Sequence, residues 1–408
     1  MSLIKPFRGL RPAAHHATDV AAPPYDVLSS EEARSRAADK PWSFLHISKA
    51  EIDLPPGTDP YAAQVYAKAA ENLDKMLSAG VLRRDQRPCY YAYRLQMGEH
   101  VQTGFVATAS VAAYDAGRIK KHEFTRPDKE DDRVRQIEAL NAQTGPVLLA
   151  YPAAADADGL LAQASAGAPV AEVVADDGIH HAIWEVDDAT LIADITAAFE
   201  RMPALYIADG HHRSAAASRV ATARRQGNDE RPSDYFLAVI FPYHQMKILD
   251  YNRVVKDLNG LSEADFIARI GQRYRVAPSD GPAGPVKPGE VGLYLPGRWF
   301  RLAINPSLIP ADPVARLDVS LLSDHLLGPV LGITDLRRDK RIDFVGGIRG
   351  LAELEKRVDS GEMAAAFAMY PTRMSDLMAV ADAGQVMPPK STWFEPKLAD
   401  GLVSHVLD

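Results

Sequence analysis

The sequence predicts an α+β protein whose sheets mix parallel and antiparallel strands and include βαβ-like elements. Two kinds of pattern lead to this prediction. Alternating apolar runs come in close pairs that are typical of antiparallel hairpins, as in residues 88–95 and 101–112. Elsewhere an apolar run passes directly into a helical pattern, as in residues 204–220. Because strands and helices do not alternate strictly along the chain, a single parallel sheet covered by helices is not expected.

The N-terminal region, up to about Asp59, is expected to be extended rather than helical. It is rich in proline, and the proline pairs at residues 23–24 and 55–56 disfavour helix. Helical spacing first appears in residues 61–80, where apolar side chains recur every three or four positions up to Gly80.

The centre of the chain is predicted to supply many of the strands. Strand patterns occupy residues 88–95, 101–112, 146–151, 171–175 and 181–186, and a helical pattern follows at 188–201. The Ala/Gly-rich stretch 153–169 is predicted to form a helix or a soft surface insertion. Cys89, the single cysteine, alternates like a buried strand residue and excludes an intrachain disulfide.

The C-terminal half contains the most loop-like stretch, residues 279–292. It lies within a pattern of one helix and one hairpin that predicts a small subdomain. We therefore expect three segments: an N-terminal α+β region (residues 1–260), a small helix-hairpin subdomain (261–304) and a C-terminal α/β region (305–408).

Composition is ordinary for a soluble globular protein, with 47% hydrophobic and 25% charged residues. The net charge of −8 and the absence of a Lys/Arg-rich tail make nucleic acid an unexpected partner. The apolar runs are too short to span a membrane, and the first residues, MSLIKPFRGL, lack the apolar core of a signal peptide. We expect a cytoplasmic protein without a membrane partner.

The most informative segment is ALYIADGHHRSAAASRV, residues 204–220. An apolar strand pattern ends at Asp209, and an alanine-rich helical pattern begins after Gly210. The N–H groups of a first helical turn lack partners, the helix dipole favours negative charge there, and Arg213 adds a positive charge. The segment therefore predicts a phosphate site. The alternative is that Asp209 only caps the helix while the two histidines satisfy backbone carbonyls.

A second candidate is the charged segment RIKKHEFTRPDKEDDRVR, residues 118–135. Its composition is also that of a solvated loop and helix start. If a strand precedes His122 and Glu123, that pair lies at a strand end. Helical spacing then places Lys129 and Arg133 on one face, suited to phosphate oxygens.

Near the C-terminus, Pro388 to Thr392 (PPKST) lacks the glycines of a Walker motif. Lys390, Ser391 and Thr392 still offer an ammonium and two hydroxyls to a phosphate or carboxylate. They could equally form a polar turn before an edge strand. The glycine turn at residues 346–350 is the weaker candidate, because glycine turns mostly serve geometry.

Metal chemistry based on histidine is not expected. His211 and His212 are adjacent and diverge, and no H-E-x-x-H pattern occurs. The histidine pairs at residues 15–16 and 180–181 are interpreted as surface residues. A Mg²⁺ ion held mostly by nucleotide phosphates and by Asp209 is the metal role that we predict.

Four further stretches resemble motifs of the domain-of-unknown-function family 1015, and the likeness extends over nearly the whole chain. They are KPFRGLRP (Lys5 to Pro12), APPYDVLS (Ala22 to Ser29), IKKHEFT (Ile119 to Thr125) and MPPKSTWFEPK (Met387 to Lys397). The DGHHRSAA stretch is also similar to the core motif of the ParB, sulfiredoxin and free-serine-kinase group. That resemblance implies a ParB/sulfiredoxin-like strand-turn-helix core with nucleotide bound at the turn.

The resemblance also implies a function. Free serine kinases carry a catalytic glutamate at a place that the His122-Glu123 pair resembles, although here the gap from that pair to DGHHR is much longer. We therefore expect a nucleotide-dependent phosphotransferase that acts on the hydroxyl of a small polar metabolite such as serine or a hydroxy acid. The alternatives are a non-catalytic nucleotide-binding switch or sensor and a small-molecule phosphatase.

The expected roles follow from that hypothesis. Glu123 is the general base, and Asp209 positions Mg²⁺ or the attacking hydroxyl. The cofactor is a nucleoside di- or triphosphate with Mg²⁺, and the chain could form a homo-oligomer. The residues expected to bind phosphate or substrate are His122, Lys129, Arg133, Gly210, His211, His212, Arg213, Lys390, Ser391 and Thr392.

Overall fold

The computed structural model describes residues 2–227 and 229–408, and the contacts within it divide the chain into two units. Unit 1 contains Met1–Met246 and Pro396–Asp408, and unit 2 contains Lys247–Glu395. Residues 261–304, predicted as a small subdomain, lie within unit 2. The predicted division at residues 260 and 304 into separate segments stays a prediction.

The described residues of unit 1 up to Met246 form twelve strands and nine α-helices. The strands are β1 (Ile4–Lys5), β2 (Gly9–Pro12), β3 (Leu82–Arg84), β4 (Tyr90–Met97), β5 (His100–Ser110), β6 (Ile119–Lys120), β7 (Ala142–Gln143), β8 (Val147–Tyr151), β9 (Ala171–Val174), β10 (His180–Val186), β11 (Leu205–Asp209) and β12 (Tyr235–Pro242). The helices are α1 (Ala17–Val20), α2 (Ser30–Ala37), α3 (Leu45–Ser48), α4 (Ala63–Ser78), α5 (Val111–Asp115), α6 (Pro127–Leu140), α7 (Ala155–Ala164), α8 (Ala189–Glu200) and α9 (His211–Arg224).

Unit 2 contributes the strands β13 (Lys247–Leu249), β14 (Tyr251–Val255), β15 (Tyr274–Ser279), β16 (Glu290–Leu295), β17 (Arg298–Ile304), β18 (Ile342–Gly346), β19 (Ala365–Met369) and β20 (Trp393–Glu395). Its helices are α10 (Glu263–Ile270), α11 (Asp318–Leu322), α12 (Gly350–Asp359) and α13 (Met374–Asp382). The last strand of the chain, β21 (Ser404–Val406), returns to unit 1.

The large sheet of unit 1 mixes strand directions, as predicted for an α+β protein. Its order is β6-β11-β8-β12-β5-β4-β10-β9, with β1 added beside β5. The pairs β6/β11 and β8/β12 are parallel, whereas β4/β5 and β9/β10 form the two predicted antiparallel pairs. Strands β5 and β12 are almost wholly buried, so this sheet forms the centre of the core.

Unit 2 is built on a six-stranded sheet of order β15-β17-β16-β19-β14-β18. The predicted helix and hairpin are present as α10 and β16/β17, but β15 also pairs with β17 and β16 pairs with β19. The hairpin is therefore continuous with the larger sheet. Residues 342–382 form a strand, a glycine turn, a helix, a strand and a helix in that order, which agrees with the α/β character expected of this region.

Local patterning accounts for the predicted helix of residues 61–80. The helix α4 buries Tyr66, Ala69, Leu73 and Met76 on one stripe. Gly80, with φ of 70°, follows its end.

Two predictions about local structure are wrong. The N-terminal region is not extended throughout, because Ser29 and Glu32 form a reciprocal capping box that starts α2. His181 is not a surface residue, since it is only 3% exposed and its Nδ1 lies 2.7 Å from Tyr93 Oη. Burial lowers the pKa of His181 to about 4.

Candidate functional site

Two strand ends bring the predicted site residues together. Strands β6 and β11 run parallel, with Ile119 opposite Leu205 and Lys120 opposite Tyr206. Parallel neighbours end at the same edge of a sheet. The residues after β6 therefore lie beside those after β11, although almost ninety positions separate them in the sequence.

The turn after β11 is built on Gly210. Its φ of 98° is a left-handed conformation that side chains rarely adopt, and a Cβ there would lie 3.1 Å from Arg213 Nε. Helix α9 begins immediately afterwards at His211, and no side chain of the described residues caps it. Asp209 thus does not cap α9, and the N–H groups and dipole of the first turn favour an anion at this end.

The histidines tie this turn to the segment that follows β6. The His122 N–H donates to His211 Nε2 at 3.4 Å, and the Arg126 N–H donates to His212 Nε2 at 3.1 Å. The rings of His211 and His212 therefore accept hydrogen bonds from backbone amides. The rings of His122 and His211 meet edge to face, with centroids 4.4 Å apart.

Burial keeps both contacting histidines neutral at neutral pH. His122 is 2% exposed and burial lowers its pKa to about 4, while burial and the neighbouring His122 lower the pKa of His211 well below its ordinary value. Because Nε2 of the neutral His211 ring accepts a hydrogen bond, the proton of the ring lies on Nδ1. That nitrogen lies 3.6 Å from Oε2 of Glu123, whose side chain is 59% exposed.

Arg213 is the centre of a charge cluster at the turn. Its side chain is only 12% exposed, donates to the Pro146 carbonyl, and has Nη2 3.9 Å from both Asp26 Oδ2 and Asp209 Oδ1. Asp209 also accepts from Lys397 Nζ at 3.2 Å. Burial acts to raise the pKa of Asp209, but Lys397 and Arg213 outweigh it and hold the pKa at about 2.

A small cavity of about 30 Å³, enough for about one water molecule, lies beside Arg213. Tyr25, Arg133 and Asp400 line it together with Arg213. The Arg133 guanidinium stacks on the Tyr25 ring with its Cζ 3.8 Å from the ring centroid, and pairs with Asp132 at 2.6 Å. Burial raises the pKa of the Asp400 carboxyl to about 7, against the opposing effect of Arg213.

The other predicted residues have contacts of their own. Lys129 Nζ donates to Tyr61 Oη at 2.6 Å. Lys390, Ser391 and Thr392 belong to unit 2. Ser391 is buried, and its hydroxyl donates to the Pro388 carbonyl at 2.6 Å.

Three residues of the cluster were assigned no role from the sequence: Asp26, Lys397 and Asp400. Two of them lie inside stretches that resemble family motifs, Asp26 in APPYDVLS and Lys397 at the end of MPPKSTWFEPK. The sequence could therefore have indicated Asp26 and Lys397 as site residues, because each is a charged residue within a stretch that resembles a family motif. Asp400 lies just beyond the second motif and had no such signal.

The geometry does not favour Asp209 as a metal ligand, because its carboxylate already faces two cations. Within residues 2–227 and 229–408, no group of three or more His, Cys, Asp or Glu is arranged to hold a metal ion. In the same described residues, no helix has the length and apolar character needed to cross a membrane.

Comparison with solved structures finds distant likenesses. Free serine kinase in complex with AMP is 14% identical, with a TM-score of 0.36 over 73% of this chain and 92% of that one. A conserved hypothetical protein from Pyrococcus furiosus is 16% identical, with a TM-score of 0.34 over 73% of this chain and 95% of that one. C-terminally truncated SbnI from Staphylococcus aureus is 10% identical, with a TM-score of 0.37 over 72% of this chain and 85% of that one. With TM-scores this low, the likeness by itself assigns neither ligand nor activity.

No curated protein matches the chain. The profile of the family described as "Protein of unknown function (DUF1015)" matches residues 4–320, which is more than three quarters of the sequence. That span contains both strand ends of the site and the cluster residues Asp26, Asp209 and Arg213. The chain belongs to the DUF1015 family.

Proposed function

We propose that this protein is a nucleotide-dependent phosphotransferase that phosphorylates the hydroxyl of a small polar metabolite such as serine or a hydroxy acid. The observation that supports it most is the position of Glu123. This largely exposed carboxylate lies 3.6 Å from His211, at the uncapped start of α9. A proton acceptor thus lies next to a turn suited to phosphate.

The phosphate-binding part of the proposal rests on α9. Its first-turn N–H groups and dipole supply partial positive charge, and Lys397 and Arg213 add two cations close by that are paired with Asp209. Asp209 keeps these two cations in place through its contacts at 3.2 and 3.9 Å. The resemblance of DGHHRSAA to nucleotide-binding motifs supports a nucleotide as the phosphoryl donor.

In the proposed reaction, the acceptor hydroxyl oxygen forms a bond to the terminal phosphorus of the nucleotide. The bond from that phosphorus to its bridging oxygen breaks, and the electron pair stays on the bridging oxygen of the shortened nucleotide. Glu123 takes the hydroxyl proton. Neutral His211, with its proton on Nδ1, orients the Glu123 carboxylate without neutralising it.

Arg133 is the candidate for the acceptor's carboxylate, because a guanidinium can bind a carboxylate through two hydrogen bonds. Lys129 remains a second candidate through its exposed position on α6. We assign no step to a metal ion, since the contacts of Asp209 do not fit a metal held by the protein.

The test is turnover with a panel of nucleoside di- and triphosphates and small hydroxy acids, including serine. Glu123→Gln should leave nucleotide-induced thermal stabilisation intact and lower turnover by about a hundredfold or more, the usual scale for a positioned base. Glu138→Gln, an exposed carboxylate further along α6, is the matched control and should retain wild-type turnover.

Full activity in Glu123→Gln would remove this residue from the mechanism. Nucleotide binding without turnover of any acceptor would favour the nucleotide-binding switch instead. If no nucleotide stabilises the protein, the phosphate-binding part of the proposal is wrong as well.

A further inference from the structure

Unit 2 buries an arginine without a counter-charge. Arg253, on β14, is 1% exposed and is among the largest fully buried side chains. Burial lowers its pKa to about 10, and the Tyr251 side chain opposes this effect. Among the described residues no carboxylate lies within 4.0 Å of its guanidinium. An isolated buried cation is costly, so its presence requires a reason.

The contacts of Arg253 point to the loop at residues 388–392. Its Nη2 donates to the Lys390 carbonyl at 3.0 Å, and its Nη1 donates to the Tyr251 carbonyl. Its Nε, also buried, has no hydrogen-bond partner in the described part of the chain. Arg253 therefore holds the backbone of Lys390 in place, while its own Nε–H group makes no hydrogen bond within the described residues.

Further hydrogen bonds hold this loop in one conformation. The Ser391 hydroxyl donates to the Pro388 carbonyl at 2.6 Å, and the Thr372 hydroxyl donates to the Ser391 carbonyl at 2.8 Å. Lys390 has φ of 56°, a left-handed conformation that a lysine adopts only when its surroundings impose it. The loop is thus preorganised.

The fixed loop presents a cation to solvent. Lys390 is exposed, and its Nζ lies 5.4 Å from the centroid of the Tyr251 ring. No ion pair joins it to any carboxylate of the residues described. The half-buried Thr392 hydroxyl follows two positions later.

An aromatic cluster backs the loop and provides a local probe. The Trp393 ring meets the Tyr251 ring edge to face with centroids 5.2 Å apart. Gly346 makes room for it, since a Cβ at that position would lie 2.6 Å from Trp393 Cζ3. The glycine turn after β18 thus serves packing.

We propose that the loop of residues 388–392, backed by Arg253, is a second anion site of this protein, and that it binds a phosphoryl dianion. Two positive charges without a counter-charge, Arg253 and Lys390, match the charge of such a group. Lys390 Nζ and the Thr392 hydroxyl contact the ligand. Arg253 is a positioning residue: it holds the loop, and its positive charge attracts the anion. The site belongs to unit 2 and does not depend on the proposed phosphotransfer.

The probe is inorganic phosphate, titrated into the full-length protein at constant ionic strength, with chloride as the monovalent control. The readout is the indole N–H resonance of Trp393, assigned with Trp393→Phe. We expect a saturable shift with phosphate and none with chloride. Lys390→Ala should weaken phosphate binding about tenfold or more, since a hydrogen bond to a charged group is lost.

Two further variants separate positioning from folding. Arg253→Met should weaken binding, and Arg253→Lys, which keeps the charge, should bind phosphate more tightly than Arg253→Met does. Lys356→Ala removes an exposed lysine elsewhere in unit 2 and should bind as the wild type does. If Arg253→Met does not fold, Lys390→Ala decides alone. The proposal is overturned if phosphate gives no saturable shift, or if Lys390→Ala binds it with wild-type affinity.

Discussion

Asp400→Asn should stabilise the protein at neutral and higher pH. Asp400 is 2% exposed, lines the cavity beside Arg213, and has its carboxyl pKa raised to about 7 by burial. Asparagine has the same shape and never ionises, so it removes the cost of a buried negative charge.

The magnitude follows from the pKa. The ordinary value is 3.8, so the folded state raises it by about three units, each equivalent to about 1.4 kcal/mol. Between about pH 4 and pH 7 the unfolded chain has lost this proton and the folded chain keeps it, so the free energy of unfolding falls as pH rises. The loss reaches about 4 kcal/mol near pH 7 and then levels off. Asp400→Asn should lack this loss and exceed the wild type by up to that amount at about pH 8.

Asp209 acts in a different pH window. Its folded pKa of about 2 lies below the ordinary value, so it contributes stability that disappears only as pH falls from about 4 toward 2. The two carboxylates can therefore be separated by the pH at which each affects unfolding.

The assay is urea unfolding of the full-length protein at several pH values between about 4 and 8. In a Trp299→Phe, Trp393→Phe background, the remaining Trp42 and Trp184 report on unit 1. The carboxyl ¹³C resonance of Asp400 gives its pKa directly. A titration of that resonance near 4, or equal stabilities of Asp400→Asn and wild type at about pH 8, would refute the reasoning.

Three more outcomes are expected. Arg213→Ala should lower the free energy of unfolding by about 1–3 kcal/mol, because it leaves the Pro146 carbonyl without its donor and removes the guanidinium that Asp26 and Asp209 face. Arg219→Ala, at a more exposed arginine, should cost under about 1 kcal/mol. A small urea-unfolding effect of Arg213→Ala would mean that the cluster is solvated. Gly210→Ala should cost at least about 1 kcal/mol, since alanine is strained at φ of 98° and its Cβ would crowd Arg213, and an unchanged melting temperature would contradict this. Cys89, whose thiol pKa burial raises to about 12, should react with a thiol reagent only when urea unfolds the chain; rapid labelling of the folded protein would argue against its burial.

Several features of the fold and site could be predicted from the sequence because short-range patterns determine them. The α4 stripe, the antiparallel pairs β4/β5 and β9/β10, and the strand-to-helix junction at Asp209 to His211 depend on the spacing of apolar residues and on Gly210. The capping box of Ser29 and Glu32 is equally local, and proline content in the same region obscured it.

The composition of the site was decided by tertiary structure. Parallel pairing of β6 with β11 is what places His122 and Glu123 at the start of α9. Asp26 and Lys397 meet Arg213 and Asp209 from opposite ends of the chain. Periodicity identifies which face of an element is buried, but it does not specify which distant elements pair.

The protonation states also depend on tertiary structure. The sequence by itself determined that this protein is α+β and that a strand-to-helix turn follows an apolar strand at Asp209. Only the folded chain decided that His211 is neutral and that Asp400 holds its proton up to about pH 7. It also decided that Arg253 is buried with no carboxylate of the described residues in ion-pair distance. The physical reason is that pKa values depend on desolvation and on charges a few ångströms away, and both arise from contacts between residues far apart in the sequence.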